Sequence, residues 1–163
     1  MSEIVNKYKF GLNVIKKEIK SIPVSPGIYK MIDENGEVLY VGKAKNLKKR
    51  VSSYSKLNNQ SQRILNMISL VRKVELSITN TEAEALLLES NVIKANKPKF
   101  NILLKDDKSF PSILLTSNHD FPQIKKHRGR KSQKGYYFGP FSSAGSVNRS
   151  VSYTHLRAHE TDY

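Results

Sequence analysis

The chain has 163 residues and contains no cysteine and no tryptophan. Without thiols it can form no disulfide, no thiolate zinc site and no iron–sulfur cluster. Cysteine usage therefore says nothing about its compartment. Acidic residues are also scarce: 14 Asp and Glu stand against 28 Lys and Arg, a formal net charge of +14. Such a surplus suits a small neutral substrate poorly. It suits a polyanion, because cations that displace condensed counterions bind phosphates regardless of sequence. A solvated lysine-rich surface is the plainer use of the same charge. No apolar run approaches the roughly 20 residues of a membrane-spanning helix. The opening stretch, MSEIVNKYKFGLNVIKKEIK, is charged throughout and has no apolar signal-peptide core, which predicts a cytoplasmic protein without a membrane partner.

The hydrophobic fraction is 38%, with 8 Tyr and 6 Phe, enough for a modest core. Ile4, Tyr8, Leu12, Ile15 and Ile19 recur at helical spacing and predict a helix over residues 3–21. Ser25-Pro26-Gly27 stops it. Strands over 27–33 and 37–42 flank Asn35-Gly36, a strong hairpin signal. Helical patterns follow at 46–53 and 58–71. Val74, Leu76 and Ile78 alternate with polar residues as in a half-buried strand. Thr81 and Glu84 have capping-box spacing and open a helix reaching about Ala95, which Lys97-Pro98 ends.

These elements predict a compact α/β domain over residues 1–103. Residues 104–149 make an incomplete following segment, irregular or β, with short strands at 113–116 and 123–127, a basic hairpin loop or solvated run at 125–134, and turns at 135–145. The stretch VSYTHLRAHET, written as codons, resembles a transposase-type sequencing adapter translated in frame. Residues 150–163 are therefore set aside as a non-native tail, and His155 and His159 with them as metal-ligand candidates.

A two-residue turn at Asn35-Gly36 places Glu34 opposite Glu37, Ile32 opposite Leu39, Met31 opposite Tyr40, and Tyr29 opposite Gly42. Tyr29 and Tyr40 become diagonal neighbours on one face. Ile28, Ile32, Leu39 and Val41 form the core face. Gly42, lacking a side chain, leaves room above the strands for a ligand. Strand-favouring aromatics need no such explanation, but Lys43, Lys45, Lys48, Lys49 and Arg50 follow at once. Nearby positive charge favours a phenolate.

The helix TEAEALLLESNVIKA carries a second signal. With residues about 100° apart, Val92, Leu88, Ile93 and Leu86 form one apolar arc, and Glu89 falls inside it while Leu87 points away. A carboxylate there is costly unless paired or bound to metal. A buried ion pair with Lys or Arg and a metal ligand both answer that cost. One carboxylate suits a single Mg²⁺ that keeps most of its waters. Glu82, in the first turn, complements the helix dipole.

Gly27-Ile28-Tyr29 and Tyr40-Val41-Gly42 resemble the two halves of the GIY-YIG nuclease signature, with valine for the second isoleucine. The segments SPGIYKMIDENGEVLYVGKAKNLKKRVSSY, TEAEALLLESNVIKANKPKFNILLKDDKSFP and YFGPFSSAGSVN, in that order, resemble the N-terminal region of the UvrC family of excinucleases. The resemblance implies a small three-stranded central sheet flanked by helices. It implies a metal-dependent endonuclease that cuts damaged double-stranded DNA on the 3′ side of a lesion, working with the other components of the UvrABC system. Residue by residue it implies a catalytic set of Tyr29, Tyr40, Lys43, Arg50, Tyr54 and Glu89. Glu89 is the ligand of one Mg²⁺ or Mn²⁺, one tyrosine assisted by Lys43 is the general base, and no small-molecule cofactor is needed. Asn101, in Pro98-Lys99-Phe100-Asn101, matches a structural asparagine. Lys45, Lys48, Lys49, Lys125, Lys126, Arg128, Arg130 and Lys131 are expected on the DNA backbone. The family's UvrB-binding segment, second nuclease domain and helix-hairpin-helix region are expected to lie outside this fragment. A non-catalytic nucleic-acid-binding module and a homing or structure-specific GIY-YIG nuclease remain as alternatives.

Overall fold

Apolar spacing alone places most of the elements. The computed structural model describes residues 2–104, 108–118 and 120–160, with the backbone alone at 2–5 and 153–160. It divides into two compact units, 1–102 and 103–163. Ile4, His155 and His159 therefore lie outside the described side chains.

The first unit begins with α1 (Ser2–Ile19), which buries Tyr8, Leu12 and Ile15 as their spacing predicts. Strands β1 (Gly27–Ile32) and β2 (Val38–Ala44) form the hairpin. Then come α2 (Leu47–Ser53), a short 3-10 turn at Leu57–Asn59, α3 (Gln62–Leu70), β3 (Lys73–Ile78) and α4 (Glu82–Asn96). The sheet is antiparallel in the order β2-β1-β3. It is the three-stranded, helix-flanked architecture that the resemblance implies. On one face α1, α2 and α3 bury Tyr29, Met31, Leu47, Val51, Tyr54, Met67 and Ile68 in a large cluster. Ile15, Leu47 and Ile68 are fully buried, each contributing about 1.5–3 kcal/mol. On the other face Ile28 and Val41 meet Ala85 of α4, with Leu88, Val92 and Ile93 around them. Along β3, Val74 is buried and Leu76 half-buried, but Ile78 at the strand's end is 62% exposed.

The hairpin differs from its predicted form in one detail. Met31 faces Tyr40 and Tyr29 faces Gly42, as predicted, but Ile32 pairs with Val38 rather than Leu39 across a β-bulge. Asp33 is the cause. Its Oδ1 accepts the amides of Asn35 at 2.8 Å and Glu37 at 2.9 Å, while its own amide donates to Glu37 O at 3.0 Å. The turn therefore runs through Glu34, Asn35 and Gly36, with Gly36 at φ +81°, the left-handed conformation that favours glycine. Glu34 and Glu37 do not pair, and Leu39 joins the larger cluster instead of the Ile28 face.

Helix α4 starts at the capping box: Thr81 Oγ1 accepts the Glu84 amide at 3.1 Å, and Glu84 Oε2 accepts the Asn80 amide at 2.9 Å. It ends at Lys97, whose φ of 45° is left-handed.

In the second unit β4 (Ser112–Thr116) lies between β5 (Ile124–His127) and β6 (Gly135–Phe138), followed by α5 (Ala144–Glu160). Strand β6 falls where the sequence predicts only turns. Both outer strands run antiparallel to β4. Residues 128–134 are thus a crossover between two mutually parallel strands, not a hairpin loop. Ile113, Leu114, Phe141 and Val147 are buried in this unit. The α5 backbone continues without a break past Arg149, into the stretch set aside as a tail.

Candidate active site

The two motif tyrosines come from adjacent strands. Tyr29 and Tyr40 share a face, with ring centroids 6.1 Å apart. Tyr29 is 1% exposed and Tyr40 half-buried. The gap over Gly42 does not await a ligand. A Cβ there would collide with the Tyr29 hydroxyl and ring, so the glycine exists to let that phenol lie across β2. This corrects the reading of Gly42 as open space.

Asn46 then turns the chain into α2. Its side chain accepts the Lys49 amide at 2.9 Å, and the Arg50 amide donates to Asn46 O at 3.1 Å. That cap sets the helical phase so that Arg50 and Tyr54, one turn apart, both face Tyr29. Arg50 Nε donates to Tyr29 Oη at 3.2 Å. The hydroxyls of Tyr29 and Tyr54 are 2.6 Å apart. The Arg50 guanidinium lies 5.5 Å from the Tyr54 ring centroid, close enough for a cation–π contact. Burial pushes the Tyr29 phenol well above its ordinary value and Tyr54 up to about 12. Both are neutral at physiological pH, and the Tyr29 phenol beside it keeps Arg50 charged.

Glu89 reaches the site from α4, 46 positions after Lys43. The helical phase that sets it among apolar residues aims it at the outer edge of β2. There Glu89 Oε1 accepts the Lys43 amide at 3.1 Å. Burial pushes its carboxyl up, while the charge and the amide of Lys43 and the charge of Arg50 pull it down. The Lys43 ammonium itself lies 3.7 Å from Glu82 Oε1. Lys43 thus pairs with α4 through that ammonium. Glu82 pairs with it besides facing the helix dipole.

The same edge is held by Asn101, which the resemblance implies to be structural, and by Phe100, whose contribution periodicity does not announce. Asn101 Oδ1 accepts the Val41 amide at 2.8 Å and its Nδ2 donates to Val41 O at 2.9 Å. Phe100 N donates to Leu39 O at 2.9 Å. A side chain that substitutes for a neighbouring strand leaves no periodic trace.

Beside Arg50 opens a cleft of 690 Å³ lined by Lys45, Asn46, Lys49 and Ser53, with Val24 and Ala44 as its apolar part. Lys45, Lys48 and Lys49 are exposed, and Lys45 and Lys49 line it. The structure thus gathers Tyr29, Tyr40, Arg50, Tyr54, Glu89 and the Lys43 amide in the first unit. Lys125, Lys126, Arg128, Arg130 and Lys131 belong to the second.

The donor set fits one hard cation. Glu89 is a single carboxylate whose Oε1 accepts the Lys43 amide. Among the described residues no group of three His, Cys, Asp or Glu could hold a metal. That pattern matches Mg²⁺, which retains waters and takes further oxygens from a phosphate.

Residues 25–102 match the model of the UvrC-like GIY-YIG domain. UvrABC system protein C of Hyphomonas neptunium is 56% identical over 141 residues, and that of Paramagnetospirillum magneticum 54% over the same length; each match spans 86% of this chain and 23% of the relative. The chain thus spans about a quarter of the length of these curated relatives. Among solved structures, the GIY-YIG N-terminal endonuclease domain of Thermotoga maritima UvrC, bound to its catalytic divalent cation, magnesium, superposes with a TM-score of 0.50 at 36% identity. The superposition covers 54% of this chain and 96% of that one. A point mutant of the same domain with phenylalanine in place of a tyrosine, also with its catalytic divalent cation, gives 0.50 at 35% identity, over 55% of this chain and 96% of the mutant's. No helix among the described residues is long and apolar enough to cross a membrane. Identity at this level over nearly the whole of a solved domain establishes that the chain belongs to the UvrC-like GIY-YIG endonuclease domain family.

Proposed function

We propose that the first unit hydrolyses a phosphodiester of double-stranded DNA with the help of one divalent cation. We place this cut on the 3′ side of a lesion in nucleotide excision repair, with UvrB as the partner that presents the damaged duplex. The observation that carries the proposal is Glu89, a half-buried carboxylate brought from α4 to the amide of Lys43, within electrostatic reach of Arg50.

Glu89 would hold the cation, Mg²⁺ or Mn²⁺. When bound, such a cation supplies Lewis-acid stabilisation of the phosphate and the leaving oxygen. Of the two motif phenols, Tyr29 is locked between Tyr54 and Arg50 and is all but inaccessible. Tyr40 is the more accessible; with its own proton released to solvent, its phenolate takes the proton of the attacking water and becomes the phenol again, a step worth about 10²–10⁴-fold. Tyr29 instead fixes the guanidinium, and Arg50 hydrogen-bonds the scissile phosphate as charge grows on it. Lys43 acts from the α4 side, its amide and charge favouring ionised Glu89. Lys45, Lys48 and Lys49 guide the backbone past the cleft without reading bases.

The test is nicking of a lesion-bearing duplex carrying UvrB, with Mg²⁺ and with chelator. Mg²⁺-dependent incision 3′ to the lesion is expected. Because the UvrB-binding segment is expected outside this fragment, the deciding arm is a full-length UvrC carrying this domain with Glu89→Gln: an unchanged 3′ incision by it would overturn the proposal.

A further inference from the structure

The second unit carries an element that the catalytic site does not use. Strands β5 and β6 flank β4 and run parallel to each other, so residues 128–134 must cross one face of the sheet from the Ser112 end to the Thr116 end. Seven residues suffice, at about 3.3 Å each, to span that strand and its two neighbours. The crossing lies over the face of Leu114, which is 1% exposed, and is fastened along its length. Arg128 donates to Lys108 O at 3.3 Å and Ser109 O at 3.5 Å. His127 Nε2 and Gly129 O are 3.2 Å apart. Tyr137 is the central fastener: its hydroxyl donates to Gln133 O at 2.9 Å and accepts the Gln133 amide at 3.2 Å. The His127 ring meets its edge at 5.0 Å and the Lys131 ammonium lies 5.6 Å from its centroid. Ser117 N closes the strap at Lys134 O, 3.3 Å.

The strap, RGRKSQK, has four cations, no acid and no apolar side chain. Arg128, Arg130, Lys131 and Lys134 are all exposed. An extended backbone fixed in place and bearing cations at short intervals matches a linear row of phosphates. It has nothing to insert into a lipid surface. We infer that residues 128–134 form a second DNA-backbone contact, separate from the catalytic unit, that raises affinity without reading sequence. The choice of nucleic acid over other polyanions rests on the nuclease reading of the first unit.

The experiment measures binding of the full 163-residue chain to a labelled undamaged duplex by fluorescence anisotropy over a range of NaCl. Three chains are compared: wild type; Arg130→Gln, Lys131→Gln, Lys134→Gln; and a charge-matched control, Lys16→Gln, Lys17→Gln, Lys20→Gln. Each phosphate contact contributes about 0.9 to the slope of log K against log[salt]. The strap variant should lose about 2–3 from that slope and bind about 10- to 100-fold more weakly near physiological salt; the control should lose far less. A fourth chain, Tyr137→Phe, keeps every charge but frees the strap. It should bind more weakly with the wild-type slope. Equal losses in the strap variant and the control would reduce the effect to net charge and overturn the inference. So would an unchanged slope in the strap variant, or its selective loss of binding to anionic vesicles instead of duplex. Circular dichroism checks that each chain is folded. Nicking is scored separately on the same samples: absence of cutting with an intact strap effect counts against the first unit's assignment alone.

Discussion

The hydroxyl oxygens of Tyr29 and Tyr54 lie 2.6 Å apart although 25 positions separate them in the chain. Arg50 donates to the first of these phenols and stacks its charge near the second ring. The guanidinium is therefore positioned by two neutral aromatic partners rather than by a carboxylate that would cancel its charge. Tyr29→Phe removes the acceptor and leaves the ring. It should lower turnover by about 10–100-fold by loosening Arg50, less than Tyr40→Phe, which removes the proton acceptor and should cost about 10²–10⁴-fold. Single-turnover nicking rates of the two variants decide this; a larger loss in Tyr29→Phe would reverse the two roles.

Arg50 and Lys48 sit on the same short helix but differ in what holds them. Arg50→Ala should reduce the nicking rate about 10²–10³-fold, as expected for a group that stabilises transition-state charge. Lys48→Ala should leave the rate at saturating DNA within about twofold and lower the salt slope of binding by about 0.9. Rates at saturation and binding across NaCl concentrations separate the two effects.

Glu89→Gln keeps an oxygen that can accept the Lys43 amide and removes the charge. Mg²⁺-dependent nicking should fall by about 10³-fold or more while duplex binding persists. A variant that cuts at the wild-type rate would remove Glu89 from the cation site.

The same substitution has a signature in stability. Burial raises the Glu89 carboxyl in the folded chain, so the folded state holds that proton more tightly than the unfolded state. The sign follows: stability falls as pH rises from the ordinary carboxylate value through the raised folded one, and the penalty is constant above it. Without divalent cation, Glu89→Gln should melt higher than wild type at about pH 7, with the gain vanishing in acid where both side chains are neutral. Added Mg²⁺ should raise the melting temperature of wild type and not of the variant. Thermal melts at about pH 3.5 and about pH 7, with and without Mg²⁺, test both statements.

Asn101→Ala deletes a two-point contact with Val41. It should destabilise the first unit by about 1–3 kcal/mol, since it strips both the amide and the carbonyl of Val41 of their partners. The folded fraction should still cut at close to the wild-type rate. Urea melts together with initial rates distinguish this from a catalytic role.

Alternation made the face shared by Tyr29 and Tyr40 legible, and helical phase made Glu89 legible, because both are periodic properties. The bulge at Ile32 was not, because it depends on Asp33 bonding to Asn35 and Glu37. Gly42 was placed correctly opposite Tyr29, yet its purpose needed the position of the ring. The orientation of Lys43 depended on Glu82, which the pattern assigned to the helix dipole alone. Strand β6 escaped because Gly135-Tyr136-Tyr137-Phe138 has no alternation and sits between glycines. The crossover followed from that omission, since a strand must be seen before its direction can be.

The outward side of β2 has a further consequence. Leu39, Val41 and Lys43 are the alternate residues whose main-chain groups would welcome another molecule's strand, and each is already engaged, by Phe100, Asn101 and Glu89 in turn. A copy approaching along this margin finds no free ladder to zip onto. Copies crowded together on one stretch of DNA are thereby discouraged from fusing into cross-strand aggregates along this margin, and the acid that serves hydrolysis also bars that route to misassembly.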